Sequence, residues 1–162
     1  MKKTILLAIL FVTGFFTAVA QEWEIYDLFG GSSYGERTGS TMTVNHENEW
    51  LVFSGSANVR SAGYVIESTN LGLGGMNQIK LEISGVRDTD KFDHGKLLKM
   101  ELNGNPVRTQ NNRNMNRNDP NYLNARNGEY IFDIANLENI LKINFVFYNC
   151  TVRSITVKMF VR

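Results

Sequence analysis

The chain has 162 residues, of which 43% are hydrophobic and 20% are charged. This length is enough for one domain with its own core. Outside the first 20 residues there are 15 basic and 16 acidic residues, so no basic excess is available to neutralise a phosphate backbone. Composition therefore argues against nucleic acid as a partner, and the single cysteine, Cys150, excludes an internal disulfide.

The first 20 residues have the pattern of a cleavable signal peptide. A basic start and an apolar run over residues 5–16 precede Ala18-Val19-Ala20, a small-x-small cleavage pattern. This apolar run is too short for a membrane-spanning helix, which needs about 20 residues. Because Gln21 follows instead of a cysteine, we expect cleavage after Ala20 without a lipid anchor. The expected mature protein is one domain, residues 21–162, that is secreted, periplasmic or on the surface of a bacterial cell and has no transmembrane segment.

Alternation of apolar and polar residues dominates the rest of the chain and predicts nine strands. Each has one apolar and one mixed face, as in an antiparallel sheet with one buried side. Turn-forming pairs such as Gly74-Gly75 and Asn103-Gly104 separate the strands. We therefore predict an all-β, antiparallel two-sheet β-sandwich of the jelly-roll type. The predicted strands cover residues 23–28, 41–44, 49–53, 63–67, 78–83, 97–102, 129–134, 142–148 and 154–161.

Residues 108–127 interrupt this alternation with eight asparagines and four arginines. A loop of this length inside a compact domain is usually either functional or disordered. A compositional bias towards asparagine would also produce such a stretch. If the loop is functional, it offers amides, guanidinium groups and one aromatic ring to a ligand, from Arg113, Asn116, Arg117, Asn121 and Tyr122.

Motifs of catalysis are scarce. His46 and His94 lie far apart, each in a predicted loop, and the sequence has no HExxH, no GxSxG and no cysteine with a nearby histidine. Cys150 falls where the buried end of a strand is expected, which favours a structural role.

Glu67, Glu82 and Glu101 are carboxylates of the kind that glycosidases use in pairs. Glu82 and Glu101 alternate with Lys80 and Lys99 on what we expect to be the outer faces of two neighbouring strands. Cross-strand charge pairing explains them without any chemistry. We therefore predict that the protein is not an enzyme and leave a small hydrolase or lyase as the least favoured alternative.

Asp88, Asp90 and Asp93 form the richest group of oxygen ligands in the sequence. Calcium binds six to eight hard oxygen ligands. The spacing does not match an EF-hand, because Phe92 occupies the third acidic position. We expect a solvated hairpin loop here, with a calcium site on the three aspartates as the alternative and no cofactor required.

Aromatic residues in the predicted strands suggest a surface for sugars. A sugar ring stacks its C–H face on an aromatic ring, and its hydroxyls bind amide, carboxylate and basic side chains. Trp50 and Tyr148 would supply such rings on an outer face, although ordinary core packing explains a tryptophan taken singly. The polar side chains expected beside them are Lys80, Glu82, Lys99, Glu101 and Asn144.

The order of these segments resembles the jelly-roll carbohydrate-binding modules and the wider galactose-binding-like sandwiches. The likeness is carried by the opening Trp23-Glu24-Ile25-Tyr26, by the strand Glu49-Trp50-Leu51-Val52-Phe53-Ser54-Gly55, by residues 128–134 and by the closing residues 143–148 and 151–157. The resemblance implies a polysaccharide or glycan as the ligand. It also implies, in many such modules, a structural calcium near the first and last strands, although the last strand here has no acidic residue.

These observations predict a secreted, non-catalytic domain that binds a polysaccharide or glycan. The contacts are expected from Tyr122, Arg117 and neighbouring asparagines, or from the face with Trp50 and Tyr148. The alternative is a structural, assembly or adhesion protein of the cell envelope or extracellular matrix. Such a protein would pair an exposed strand edge with a partner protein.

Overall fold

A computed structural model describes residues 21–35, 41–57 and 62–162, so the predicted signal peptide lies outside the described residues. This part of the chain forms twelve strands and two short 3₁₀ turns, Asp93–Gly95 and Gln110–Asn112. None of its helical segments has the length and apolar character needed to cross a membrane. The strands are β1 Glu24–Ile25, β2 Ser32–Tyr34, β3 Thr41–Asn45, β4 Trp50–Ala57, β5 Ala62–Glu67, β6 Gln78–Ser84, β7 Lys91–Phe92, β8 Lys99–Leu102, β9 Asn105–Pro106, β10 Gly128–Asp133, β11 Lys142–Phe147 and β12 Cys150–Val161.

The strands form two antiparallel sheets. The seven-stranded sheet has the order β10-β6-β12-β4-β3, with β1 and β7 paired to the two ends of β12, and the five-stranded sheet has the order β2-β5-β11-β8-β9. Four antiparallel pairs are nested in the chain: β4 with β12, β5 with β11, β6 with β10, and β8 with β9. One long folded-back ribbon that alternates between two sheets is a jelly roll, as predicted.

The core lies between the sheets and follows from the alternation. On β12, Ile155, Val157 and Met159 point inward and are fully buried. The rings of Phe53 in β4 and Phe147 in β11 stack with centroids 4.1 Å apart, which joins the two sheets. Cys150, at the start of β12, is also buried, which confirms the structural position predicted for it.

Twelve strands are present where nine were predicted. Nine of the twelve lie within or overlap the predicted segments, and the three additional strands, β2, β7 and β9, have only two or three residues each. Such short strands carry no readable alternation and exist only because a neighbouring strand supplies their partners. The predicted first strand over residues 23–28 is reduced to β1, because only Glu24 and Ile25 pair with β12.

The prediction that Glu82 and Glu101 lie on neighbouring strands is wrong. Glu82 lies on β6 in the seven-stranded sheet, whereas Glu101 lies on β8 in the five-stranded sheet. Each glutamate instead pairs with the lysine two positions earlier on its own strand, at 3.1 Å for Lys80 and 2.7 Å for Lys99. The predicted sugar-binding face is therefore divided between opposite sides of the molecule.

The asparagine-rich segment, residues 108–127, is folded onto the domain. A bridge joins Met115 to Leu123 within the segment, and another joins Asn124 to Lys96 outside it. Both apolar side chains of the first bridge are buried. Asn111, Asn112 and Asn114 have φ angles of 55°, 56° and 63°. Asparagine tolerates this left-handed region better than most residues, so backbone conformation accounts for part of the asparagine content.

Candidate functional site

The outer face of the five-stranded sheet collects aromatic and polar side chains from four separate segments. Alternation along β2, β8 and β11 turns Tyr34, Lys99, Glu101 and Asn144 to this side, and Tyr148 follows at the end of β11. We call this surface, together with Tyr122 from the asparagine-rich segment, the tyrosine face.

Tyr34 crosses the sheet because its neighbour is a glycine. A Cβ atom added to Gly63 on β5 would lie 2.4 Å from Cζ and from the hydroxyl oxygen of Tyr34. The phenol therefore occupies the space that any other residue would fill, a use of strand glycine that permits close approach. Tyr34 is still 36% exposed, so part of its ring is accessible to a ligand.

A line of hydrogen bonds runs across the strands from Tyr34. Its hydroxyl donates to Asn144 Oδ1 over 2.7 Å, and Asn144 Nδ2 donates to Glu101 Oε2 over 2.8 Å. The other oxygen of Glu101 lies 2.7 Å from the ammonium of Lys99. These groups keep unused acceptor and donor capacity, since a carboxylate has about four lone-pair sites and an ammonium has three protons. The arrangement can hold adjacent hydroxyl groups of a ligand without reorganising.

Tyr122 and Tyr148 border this line, with ring centroids 6.3 Å apart. Tyr122 is only 7% exposed, so it supports the face and offers a ligand little surface. Burial raises the pKa of Tyr122 far above its usual range, and the nearby carboxylates of Asp119 and Glu101 add to the shift. Burial also raises the pKa of Tyr34, against a lowering by its hydrogen bond to Asn144. Both phenols are therefore neutral hydrogen-bonding groups at neutral pH.

Lys96 ties the asparagine-rich segment to the sheet. Its ammonium lies 3.5 Å from Asp93 Oδ2, 3.4 Å from Asp119 Oδ2 and 5.4 Å from the ring centroids of both Tyr122 and Tyr148. The side chain is largely buried. A cation held between two carboxylates and two rings fixes the position of both tyrosines.

Trp50 lies on the opposite side of the molecule, on the outer face of the seven-stranded sheet, which we call the tryptophan face. Lys158 lies 4.3 Å from the centroid of the Trp50 ring, and Arg162 lies 4.3 Å from that of Trp23. Lys80 is only 8% exposed; its ammonium contacts Glu82 and Glu129 and lies 4.5 Å from the ring of Phe160. Basic side chains thus cover parts of these rings that a sugar would need.

The residues predicted in the asparagine-rich segment have separate positions. Asn116 is 4% exposed; its Nδ2 donates to the carbonyl of His94, and its Oδ1 accepts the backbone N–H groups of Asn118 and Asp119. Arg117 is exposed and Asn121 is half-buried. Arg113 lies in a groove beside β10, which Glu129, Tyr130 and Ile131 also line. The structure therefore brings together Tyr122 and Tyr148 from the predicted set and separates both from Trp50.

The predicted calcium ligands Asp88, Asp90 and Asp93 do not assemble into a metal site. Among the described residues no group of three acidic, histidine or cysteine side chains could hold a metal ion. Asp90 instead accepts the backbone N–H groups of Arg87 and Arg153. A hydrogen bond from Asn149 and the nearby cationic side chains hold the pKa of Asp93 below its usual range. The carboxylates at positions 90 and 93 are thus committed to the chain itself.

The sequence alone did not identify Tyr34 of the tyrosine face, nor Lys96, which supports that face. Tyr34 stands in a strand of three residues, too short for its alternation to be recognised. A signal that could have indicated it is Gly63 in the predicted strand 63–67, because a glycine in a strand often marks the close approach of another group. Lys96 precedes a predicted strand by one position, and nothing in its local sequence distinguishes it.

No model of a known protein family matches this chain, and no curated protein matches it either.

Proposed function

We propose that this protein is a non-catalytic binding domain for a polysaccharide or glycan and that the tyrosine face is its binding surface. The observation that carries the proposal is the hydrogen-bonded line from Tyr34 through Asn144 and Glu101 to Lys99, flanked by Tyr148. Sugars need this combination, because their hydroxyls require fixed polar partners while their C–H faces pack on aromatic rings.

The balance of charges favours a neutral sugar. Lys99 is paired with Glu101, and Lys96 lies between Asp93 and Asp119. Among its described residues the face therefore has no cluster of unpaired cations that would select a strongly anionic polymer.

The protonation of the tyrosines and the contacts of Glu101 on this face favour binding over catalysis. The raised pKa values of Tyr34 and Tyr122 disfavour either phenol as a base near neutral pH. Glu101 has both oxygens engaged, one by Lys99 and one by Asn144, which suits a fixed hydrogen-bonding partner.

A binding screen tests the proposal. Residues 21–162 are screened against neutral and acidic polysaccharides, with and without calcium, and any ligand found is titrated against Tyr148→Ala and Asn144→Ala. We expect affinity to fall by about tenfold or more in each variant, because each removes a separate contact of about 1–2 kcal/mol. Trp50→Ala, on the opposite face, is the matched control and should bind normally. Loss of binding in Trp50→Ala alone would move the site to the tryptophan face, and no binding to any saccharide would refute the proposal.

A further inference from the structure

One edge of the seven-stranded sheet is open at β10. Gln78 on β6 exchanges both of its backbone hydrogen bonds with Arg162, so the even-numbered residues of β6 turn towards β12. The odd-numbered residues then turn towards β10, as the bond from Ile134 N–H to the carbonyl of Asn77 shows. Because bonded positions alternate along a strand, Glu129 and Ile131 direct their N–H and C=O groups away from the sheet. Within the described part of the chain these outward backbone groups have no hydrogen-bond partner.

A groove runs along this edge. It has a volume of about 290 Å³, with Glu129, Tyr130 and Ile131 on one side and residues 109–111, 113 and 114 of the asparagine-rich segment on the other. The side chains of Gln110, Asn111 and Arg113 are exposed there, and none of them makes a hydrogen bond to another described residue. The edge and its opposite wall thus both present unused polar groups to the same space.

We propose that this groove, which we call the β10 groove, binds an extended peptide that adds a strand to the sheet beside β10. Outward N–H and C=O groups on alternate residues repeat about every 6.8 Å along a strand, which is the repeat of another extended backbone. A sugar ring has no such repeat. This inference does not depend on glycan binding, because the groove and the tyrosine face belong to different sheets.

The side chains of β10 indicate which residue types the bound peptide carries. Glu129, Ile131 and Asp133 share the outer face of the sheet, and the two carboxylates flank the half-buried isoleucine. Directly opposed strand residues are stabilised when charges are opposite and when apolar residues meet. The partner therefore has a basic residue, a β-branched apolar residue and a second basic residue at alternate positions.

The test uses the pentapeptide acetyl-Lys-Thr-Ile-Thr-Lys-amide and the domain of residues 21–162, followed by the backbone amide NMR signals. We expect saturable shifts of Glu129 and Ile131 and none at Asn144. The same peptide with N-methyl groups on the amides that face β10 should bind at least about tenfold more weakly, because it cannot donate to the strand edge. A peptide with glutamates in place of the lysines should also bind more weakly.

Variants of the protein complete the test. Ile131→Pro removes an outward N–H without removing a bond to β6 and should abolish binding, whereas Ile131→Ala, its control, should weaken binding less. Equal binding of the N-methylated peptide would overturn the proposal, and so would the absence of peptide binding to the native protein. Shifts of Glu129 and Ile131 by a neutral oligosaccharide, without any by the peptide, would identify the groove as a sugar site instead. Because the N-methylated peptide is tested on the native domain, the result holds even if Ile131→Pro does not fold.

Discussion

The hydroxyl of Tyr34 donates a hydrogen bond of 2.7 Å to Asn144 Oδ1, although 110 residues separate the two in the chain. Tyr34 lies on β2 and Asn144 on β11, with β5 between them. The bond spans the middle strand only because Gly63 there has no side chain. The geometry of the tyrosine face therefore depends on Gly63, although Gly63 is not expected to contact a ligand itself.

Gly63→Ala is expected to destabilise the domain by about 1–3 kcal/mol, the usual cost of overpacking. The new methyl group would lie 2.4 Å from the backbone oxygen of Phe145 as well as from the phenol of Tyr34. Urea denaturation monitored by fluorescence measures the change in the free energy of unfolding. Gly74→Ala is the control, because a Cβ there meets nothing within 4 Å. Equal stability of the two variants would contradict the predicted clash.

Asn116→Ala is expected to cost about 1–3 kcal/mol of stability, although the sequence suggested that Asn116 contacts a ligand. Its amide is buried and serves three backbone groups, and all three would lose this partner. Thermal unfolding measures the loss. Asn118→Ala, at an exposed position whose side chain makes no hydrogen bond to another described residue, should leave stability within about 0.5 kcal/mol. A normally stable Asn116→Ala that fails to bind saccharide would instead support the ligand role.

Phe53→Ala is expected to cost about 3–5 kcal/mol, since Phe53 is fully buried and stacks on Phe147 across the two sheets. The loss combines the transfer of a large ring with the cavity it leaves. Denaturant titration tests this, with Leu137→Ala at an exposed position as the control. A change below about 1 kcal/mol in Phe53→Ala would mean that the sheets do not pack through this pair.

Stability is expected to fall at alkaline pH through the buried tyrosines. Burial raises the pKa of Tyr130 to about 12, whereas an unfolded tyrosine ionises near pH 10. Above pH 10 the unfolded chain loses the proton while the folded chain keeps it, so this contribution is complete below about pH 10 and is lost as the pH rises towards 12. Unfolding curves between pH 9 and 12, with phenolate absorbance recorded in parallel, measure it. Tyrosines that all ionise near pH 10 in the folded protein would contradict the burial of Tyr130.

Much of the fold followed from the sequence. A strand has a side-chain period of two, so the alternation at residues 154–161 predicts one apolar, buried face, and the structure buries Ile155, Val157 and Met159 on it. The same period predicted nine strands and an all-β sandwich. Cys150 was expected to be buried, and it is.

Only the tertiary structure decided which strands are neighbours. Alternation states which side of a strand is buried, but it carries no information about the partner strand, because pairing is fixed by contacts between distant segments. Lys80 and Lys99 have the same local pattern, each two positions before a glutamate, and they end on opposite sides of the molecule. For the same reason the sequence placed Trp50 beside Tyr148 and did not find Tyr34, whose position depends on β2, β5 and β11 meeting in one sheet.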